Sequence, residues 1–300
     1  MILVTGGNGF IGKHICSRLA KDGKRVVIVD KDIKNISNAD SNYTYEECNL
    51  KSRDQINRIF MKYSFTAVVH MAAMLQTASQ NNPIESADVN ILGGLYVLEK
   101  AYQSGVSRFI FGSSISVYGS KLNVGSPGVA ETDPENPEDI YAVGKRFIEI
   151  AGETYSKNFG FSFLSFRIGS VVGPGAENTS SRWRSEVFEK LRAAKSTTIT
   201  IPYRSNELIP LVHVENVAGM LKQLIDIKSP EHTIYNAPAE TWRLAELAQY
   251  IKSINSNVTI VFGANERKGF PGFINGQRFI DEFGGSAFSL KDHFREVLTK

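Results

Sequence analysis

Ile2-Leu3-Val4-Thr5-Gly6-Gly7-Asn8-Gly9-Phe10-Ile11-Gly12 is the stretch that decides the reading of this 300-residue chain. An apolar strand runs into glycines spaced by three, and a helix follows. Glycine tolerates positive φ in a tight turn and lets backbone N–H groups come close to a pyrophosphate. Gly12, on the first helical turn, removes the side chain that would hold helix and sheet apart. Ile11, Ile15, Leu19 and Ala20 then recur at helical period, and Gly23 stops the helix. Val26-Val27-Ile28-Val29 reads as a buried strand. It ends at Asp30, roughly 20 residues past the glycines, where a carboxylate can accept both ribose hydroxyls. The order strand, loop, helix, strand, acid predicts a dinucleotide site. Asp30 would repel a 2′-phosphate and so favours NAD over NADP, although Lys31 and Lys34 follow it closely.

The bulk composition excludes several classes. Hydrophobic content of 42% and a net charge of +3 are those of an ordinary globular protein. No basic run or aromatic-interleaved patch points to nucleic acid. No apolar run approaches the roughly 18 residues of a membrane span, and with a strand starting at residue 2 no leader is expected. The two cysteines, Cys16 and Cys48, fit a reducing compartment, so the expected location is cytoplasmic. The histidines (14, 70, 213, 232, 293) lack metal-ligand spacing, so no metal is expected.

Strands expected near 2–5, 25–30, 43–46, 66–71, 107–113 and 162–167 alternate with helices near 10–22, 52–63, 84–104 and 140–158. This alternation predicts an α/β fold with a doubly wound parallel sheet. Past residue 170 the pattern loosens, with the loop 173–181, a helix near 182–194 and a strand at 197–201. Leu211–Val214 reads as a strand returning to the main sheet, with helices near 215–224, 240–254 and 289–298. The expected division is a cofactor domain over 1–170, to which 210–235 return, and a smaller substrate subdomain from 171–209 and 236–300.

Two further signals carry chemistry. Tyr141-Ala142-Val143-Gly144-Lys145 places a phenol and an ammonium on one helix face. Tyrosine near pKa 10 is a poor base at neutral pH, and a nearby cation favours the phenolate. A second such pair, Tyr96 and Lys100, falls mid-helix. Tyr141 instead opens a helix just past a strand's carboxyl end, where open α/β sheets bind ligands. At that carboxyl end stand Ser113 and Ser114, placed either to bond a reacting oxygen or to satisfy a βα turn.

Taken in order, these marks resemble the extended short-chain dehydrogenases/reductases, the NAD-dependent epimerase/dehydratase family. The resemblance is carried by Thr5-Gly6-x-x-Gly9-x-x-Gly12, Asp30, His70-Met71-Ala72-Ala73, Asn90, Ser113-Ser114 with Val117-Tyr118-Gly119, Tyr141-x-x-x-Lys145, Arg167 through Gly173-Pro174, and His213–Ala218. It is strongest over 1–175. It implies a Rossmann fold and NAD as cofactor. By resemblance Tyr141 is the acid/base, Lys145 lowers its pKa and holds the nicotinamide ribose, and Ser114 orients the substrate oxygen. The cofactor residues it implies are Gly6, Gly9, Phe10, Ile11, Gly12, Asp30, Asn49, Leu50, Met71, Ala72, Ala73, Asn90, Ser113, Tyr141, Lys145 and Arg167. Met74, Ser116, Ser170, Ser181, Arg182 and Arg204 would face substrate. A homodimer through helices at about 90–104 and 141–157 is implied as well.

The sequence departs from the family pattern at three places. Asn49 stands where an aspartate often binds adenine, and Ser170 where sugar-nucleotide members carry asparagine. The segment 201–210 lacks the usual Gly-Asp-Gly turn and the arginine that follows it. Arg182, Arg184, Arg204, Arg267, Lys268 and Arg278 are the candidates for holding an anionic substrate, through the guanidinium fork in the arginines. Two activities follow as expectations: a nucleotide-sugar (UDP-hexose) 4-epimerase, or an NAD-dependent dehydrogenase of a free sugar, sugar acid or related secondary alcohol. A non-enzymatic cofactor-binding protein on the same fold is the third possibility.

Overall fold

The computed structural model describes residues 1–33, 41–120, 125, 127–176, 181–285 and 289–299. Lys34, named above, and residues 177–180 of the expected loop 173–181 lie outside the described residues.

Seven parallel strands make the main sheet. They are β1 (Ile2–Thr5), β2 (Val26–Asp30), β3 (Tyr43–Glu47), β4 (Ala67–His70), β5 (Arg108–Ser114), β6 (Phe163–Ile168) and a late strand, β10 (Ile234–Asn236), in the spatial order β10-β6-β5-β4-β1-β2-β3. β1 is central and wholly buried, paired with β2 and β4. Because a parallel sheet is covered on both faces, its strands are continuously apolar rather than alternating. Successive side chains still divide between the two faces. Ile2 and Val4 join a core with Ile15 and Leu19 of α1 (Phe10–Lys21) and Leu221 of α8 (Val214–Asp226). Leu3 joins the opposite core with Ile56 of α2 (Arg53–Lys62), Val97 of α5 (Gly94–Gln103) and Ile148 of α6 (Ile140–Phe159).

The helix expected at 84–104 is interrupted. Short helices α3 (Gln76–Asn81) and α4 (Pro83–Ser86) lead into a π-helical stretch, Ala87–Gly93, before α5. Such widened turns frequently accompany functional sites. Asn90 lies within it and ties the loop after β4: its Oδ1 accepts from Met74 N at 2.7 Å and its amide donates to Met74 O at 2.9 Å. Local side-chain bonding of this kind leaves no signal in hydrophobic period.

The chain past 170 differs most from expectation. β9 (Leu208–His213) does not return to the main sheet. It pairs with β7 (Ser170–Val172) and β11 (Glu240–Arg243) in a separate three-stranded sheet. The strand that does return is β10, beside β6. β8 (Thr197–Tyr203) pairs in parallel with β12 (Val258–Asn265), a strand in a segment to which the sequence pattern assigns no element. The helix expected at 240–254 is β11 followed by α9 (Leu244–Ile254), and that near 182–194 is the shorter α7 (Trp183–Glu189). These elements share a third core, including Trp183, Phe188, Ile199, Leu247 and Phe294 of the last helix, α11 (Leu290–Thr299).

Candidate active site

The glycine loop is shaped by close approach. Gly6 has φ of 67°, and a Cβ there would lie 2.7 Å from Ala72 Cα. A Cβ on Gly12 would lie 2.1 Å from Gly6 O, inside any permitted contact. Gly9 is the N-cap of α1, so Phe10, Ile11 and Gly12 form the first turn, whose N–H groups have no intrahelical acceptor and favour an anion. Asp30, at the carboxyl end of β2, is held toward this loop. Its Oδ2 accepts from Asn8 N at 3.1 Å and its Oδ1 from Lys31 N at 2.8 Å. On the other side of β1, Ala72 packs on Gly6, and Met71 lies against Gly112 of β5. Glycines that any Cβ would block and an anchored acid at the next strand end fit an NAD pyrophosphate and ribose.

Asn49 Oδ1 accepts from Lys51 N at 3.1 Å, closing a local turn at the end of β3. Leu50 is buried under Gly93.

The reacting groups converge at the end of β5. Asp139 caps α6, accepting from Ala142 N at 2.8 Å, and so fixes Tyr141 on the first turn. Ser114 caps a 3-10 turn, Ile115–Tyr118, its hydroxyl accepting from Ser116 N at 3.1 Å and acting to lower the pKa of the Tyr141 phenol. Lys145, one turn on, is buried. Its Nζ donates to Gly112 O at 2.5 Å and lies 5.6 Å from the Tyr141 ring centroid. Burial pushes Tyr141 up to about 12, with Ser114 and Arg184 pulling it down and Asp139 pushing it up. Lys145 is itself pushed down to about 8 by burial, with Glu149 working against that.

Arg167 sits within a network of ion pairs. Its side chain is fully buried and spent on the protein: Nε and Nη2 donate to Glu149 at 2.9 and 2.8 Å, Nη2 to Glu135 at 2.7 Å, and Nη1 to Tyr118 Oη at 2.7 Å. Its contacts join β6 to α6 as a buried ion pair. Asn90 and Met74 likewise bond to each other. Ser170 is buried in β7, opposite Leu211. Ser113 and Ser116 are buried, and the Ser116 hydroxyl meets no hydrogen-bond partner among the described residues, whereas Ser113 faces Glu149 and helps hold its pKa down.

The arginines separate clearly. Arg182 is paired to Glu189 at 2.6 Å and Arg204 to Glu266 at 2.7 Å, so both expected substrate residues have their charge answered within the protein. Ser181 precedes α7 and accepts, through its carbonyl, from Arg184 N at 2.9 Å. Arg184, Arg267 and Lys268 make no ion pair among the described residues, and Arg184 Nε is buried without an acceptor. Spacing could not single out Arg184, because its burial is set only in the folded chain. The same holds for Glu231, His232 and Glu282, whose ligand atoms lie within 4.8 Å of one another. Glu282 there already accepts from Tyr235 Oη at 2.6 Å and Glu231 N at 2.8 Å.

This glycine cradle, anchored acid and serine–tyrosine–lysine cluster define an NAD-dependent enzyme of the short-chain dehydrogenase/reductase type. The chain belongs to the NAD-dependent epimerase/dehydratase family, whose profile matches residues 2–237. It is 30% identical to Protein CapI of Staphylococcus aureus over 235 residues, 75% of this chain and 69% of that protein. It spans about half the length of the curated UDP-glucose 4-epimerases it matches. Among solved structures, the Thermus thermophilus UDP-glucose 4-epimerase in complex with NAD superposes with a TM-score of 0.82 at 23% identity, covering 99% of this chain and 97% of that one. A GalE-like L-threonine dehydrogenase from Cupriavidus necator superposes with a TM-score of 0.87 at 21% identity, covering 99% and 98%. The shared fold therefore spans epimerases and dehydrogenases. No helix among the described residues is long and apolar enough to cross a membrane.

Proposed function

We propose that this chain moves a hydride between NAD and a secondary alcohol of a sugar-type substrate, with Tyr141 as the proton-transfer group. The observation that carries this reading is the placement of Ser114 at the carboxyl end of β5 and of Tyr141 on the first turn of α6, with the Ser114 hydroxyl acting on the phenol beside the glycine cradle. Bound NAD supplies the hydride acceptor. Ser114 orients the substrate oxygen toward the phenol. Tyr141 takes the alcohol proton, and Arg184 favours the phenolate that does so. Lys145, held by Gly112 O, contributes charge beneath the ring. Gly6, Gly9, Phe10, Ile11, Gly12 and Asp30 would hold pyrophosphate and ribose, with Met71, Ala72 and Ala73 along the other wall.

Kinship with curated UDP-glucose 4-epimerases supports a UDP-hexose 4-epimerase as the first reading. The second, a net dehydrogenase, is favoured by Arg204: the charged residue nearest the expected diphosphate-gripping segment is exposed and paired with Glu266. An epimerase interconverts UDP-glucose and UDP-galactose with no net NADH, whereas a dehydrogenase builds absorbance at 340 nm. Tyr141→Phe tests both, with turnover expected to fall by roughly 10²- to 10⁴-fold while NAD affinity stays nearly unchanged. Unaltered turnover in that variant would remove Tyr141 from the chemistry.

We also propose a homodimer through α5 and α6. Val143, Phe147 and Ile150 form an apolar stripe on α6 that is 43–51% exposed in the single chain.

A further inference from the structure

We propose that the segment 269–275 is a positioning strap for the proton transfer: with Gln76 it clamps Asp139, the cap of α6, and so holds Tyr141 in register with the turn that carries Ser114. The proposal deepens the redox reading above, on which it rests for the role of Tyr141.

The clamp is a meeting of three distant segments. Asp139 spends one carboxylate oxygen on its own helix, Oδ1 accepting from Ala142 N at 2.8 Å. The other, Oδ2, accepts from Gln76 Nε2 of α3 at 2.5 Å. The strap crosses over this bond. Gly269 is buried with φ of 80°, and a Cβ there would lie 3.2 Å from Gln76 Nε2 and 3.6 Å from Asp139 Oδ2. Glycine takes that φ without strain and leaves room for the amide beneath it. Gly269 N donates to Ser120 Oγ at 2.5 Å, and Ser120 Oγ donates in turn to Glu138 Oε2 at 2.9 Å, beside the cap.

The same strap grips the serine side. Phe270 packs on a buried cluster of Ile115, Val117 and Tyr118 with Val129 and Ile274. The first three belong to the 3-10 turn that Ser114 caps. The far end of the strap is tied down as well. Val129 N donates to Phe273 O at 3.2 Å, Asn275 N to Val129 O at 2.9 Å, and Thr241 Oγ1 of β11 to Gly272 O at 3.0 Å. Adjacent residues of one segment thus bear on the cap of Tyr141 and on the turn of Ser114. Tyr141 rides on α6 and Ser114 on β5, so their register depends on what clamps the two elements at this end. A displacement of about 1 Å between reacting groups can cost on the order of 10²-fold in rate. Asp139 also acts electrostatically against the Tyr141 phenolate, and the Gln76 amide shares that charge.

Fluorine NMR of the NAD-loaded protein, labelled with fluorotyrosine, tests the strap. The resonance that Tyr141→Phe removes is that of Tyr141, and in the parent it should be single and narrow. Gln76→Ala should shift and broaden it while the other tyrosine resonances stay in place. Gln76→Lys keeps a donor for Asp139 Oδ2 and should return it toward the parent. Gly269→Ala, which drives a Cβ onto the Gln76 amide, should disturb it in the same way; if that variant displaces every tyrosine resonance, the Gln76 pair decides alone. In turnover of UDP-galactose, or in NADH formation from glucose or gluconate, Gln76→Ala should lower kcat roughly 10- to 100-fold with KM and NAD affinity little changed, and Gln76→Lys should recover most of it. A Tyr141 resonance unmoved in Gln76→Ala, or a loss of kcat that Gln76→Lys does not restore, would overturn the strap. A resonance disturbed as expected, in a protein whose parent neither epimerises nor forms NADH, would instead leave the strap standing and overturn the redox reading.

Discussion

At the residue scale, Arg167 and Glu149 show how a site rests on charges that never touch substrate. Both side chains are fully buried, and each answers the other. The guanidinium and its hydrogen bonds hold the Glu149 carboxyl below the ordinary carboxylate range despite burial. Glu149 in turn favours the charged form of Lys145, one turn away on the same face of α6. Arg167→Leu leaves that carboxylate buried and unpaired. The expected loss is about 3–5 kcal/mol in a urea unfolding curve, with protonation of Glu149 recovering part of it. A loss within experimental error would show that the pair contributes nothing net. This residue also marks where sequence reading falls short. Gly6, Gly12, Asp30, Ser114, Tyr141 and Lys145 were legible because a short chain segment fixes their geometry. The surroundings of Arg167 and Arg204 are set by partners on other segments: Glu149 is 18 residues from Arg167 and Glu266 is 62 residues from Arg204. No local pattern reveals that a charge is already answered.

Among elements, the most constrained junction is the one between β1 and α1. Gly12 stands where any side chain would strike Gly6 O, so the α1 axis can approach the sheet only through a glycine. Gly12→Ala must push the loop and the first turn of α1 apart, which moves the N–H groups that would face a pyrophosphate. The expected result is a large loss of NAD affinity in fluorescence titration, with far-UV circular dichroism close to that of the parent. Retained affinity would mean that the loop moves without harm. The parallel strands of the first half were readable because they are continuous apolar runs bounded by turn residues. The second half was not. The β7, β9 and β11 strands are short and split between small sheets. The β12 strand alternates buried and exposed positions only at its start and then runs exposed through Asn265, so period and composition gave it no signature. The interruption at Ala87–Gly93 was equally hidden, since a π turn shifts the helical phase without changing the residue types.

On the scale of the whole molecule, assembly and acid sensitivity are the two properties that the site does not determine. If the exposed stripe on α6 is the dimer face, Phe147→Glu buries an unpaired carboxylate in it. Sedimentation should then show a monomer with Tyr141 and the glycine loop undisturbed, whereas an unchanged oligomer would place the interface elsewhere. Acid sensitivity traces to His70, which is wholly buried on β4. It is bonded through Nδ1 to Thr5 Oγ1 at 2.7 Å, and burial, with Lys145 adding to it, pushes its pKa down from 6.5 to about 3. Between those values the unfolded imidazole carries a proton that the folded one refuses. Stability contributed by the neutral imidazole is therefore present above pH 6.5 and falls as the pH drops toward 3. The slope is about 1.4 kcal/mol per pH unit for one such group. His293, also held below its ordinary value by burial, adds in the same direction. Glu149, with its lowered pKa, acts only further into acid, losing its contribution as the pH falls below the ordinary 4.5. Urea midpoints measured from pH 7 to pH 5 should thus decline in the parent, and the decline should shrink by about one proton in His70→Asn. An identical decline in the two proteins would mean that the imidazole is accessible to a proton in the folded state, and that β4 is not the closed centre of the sheet described here.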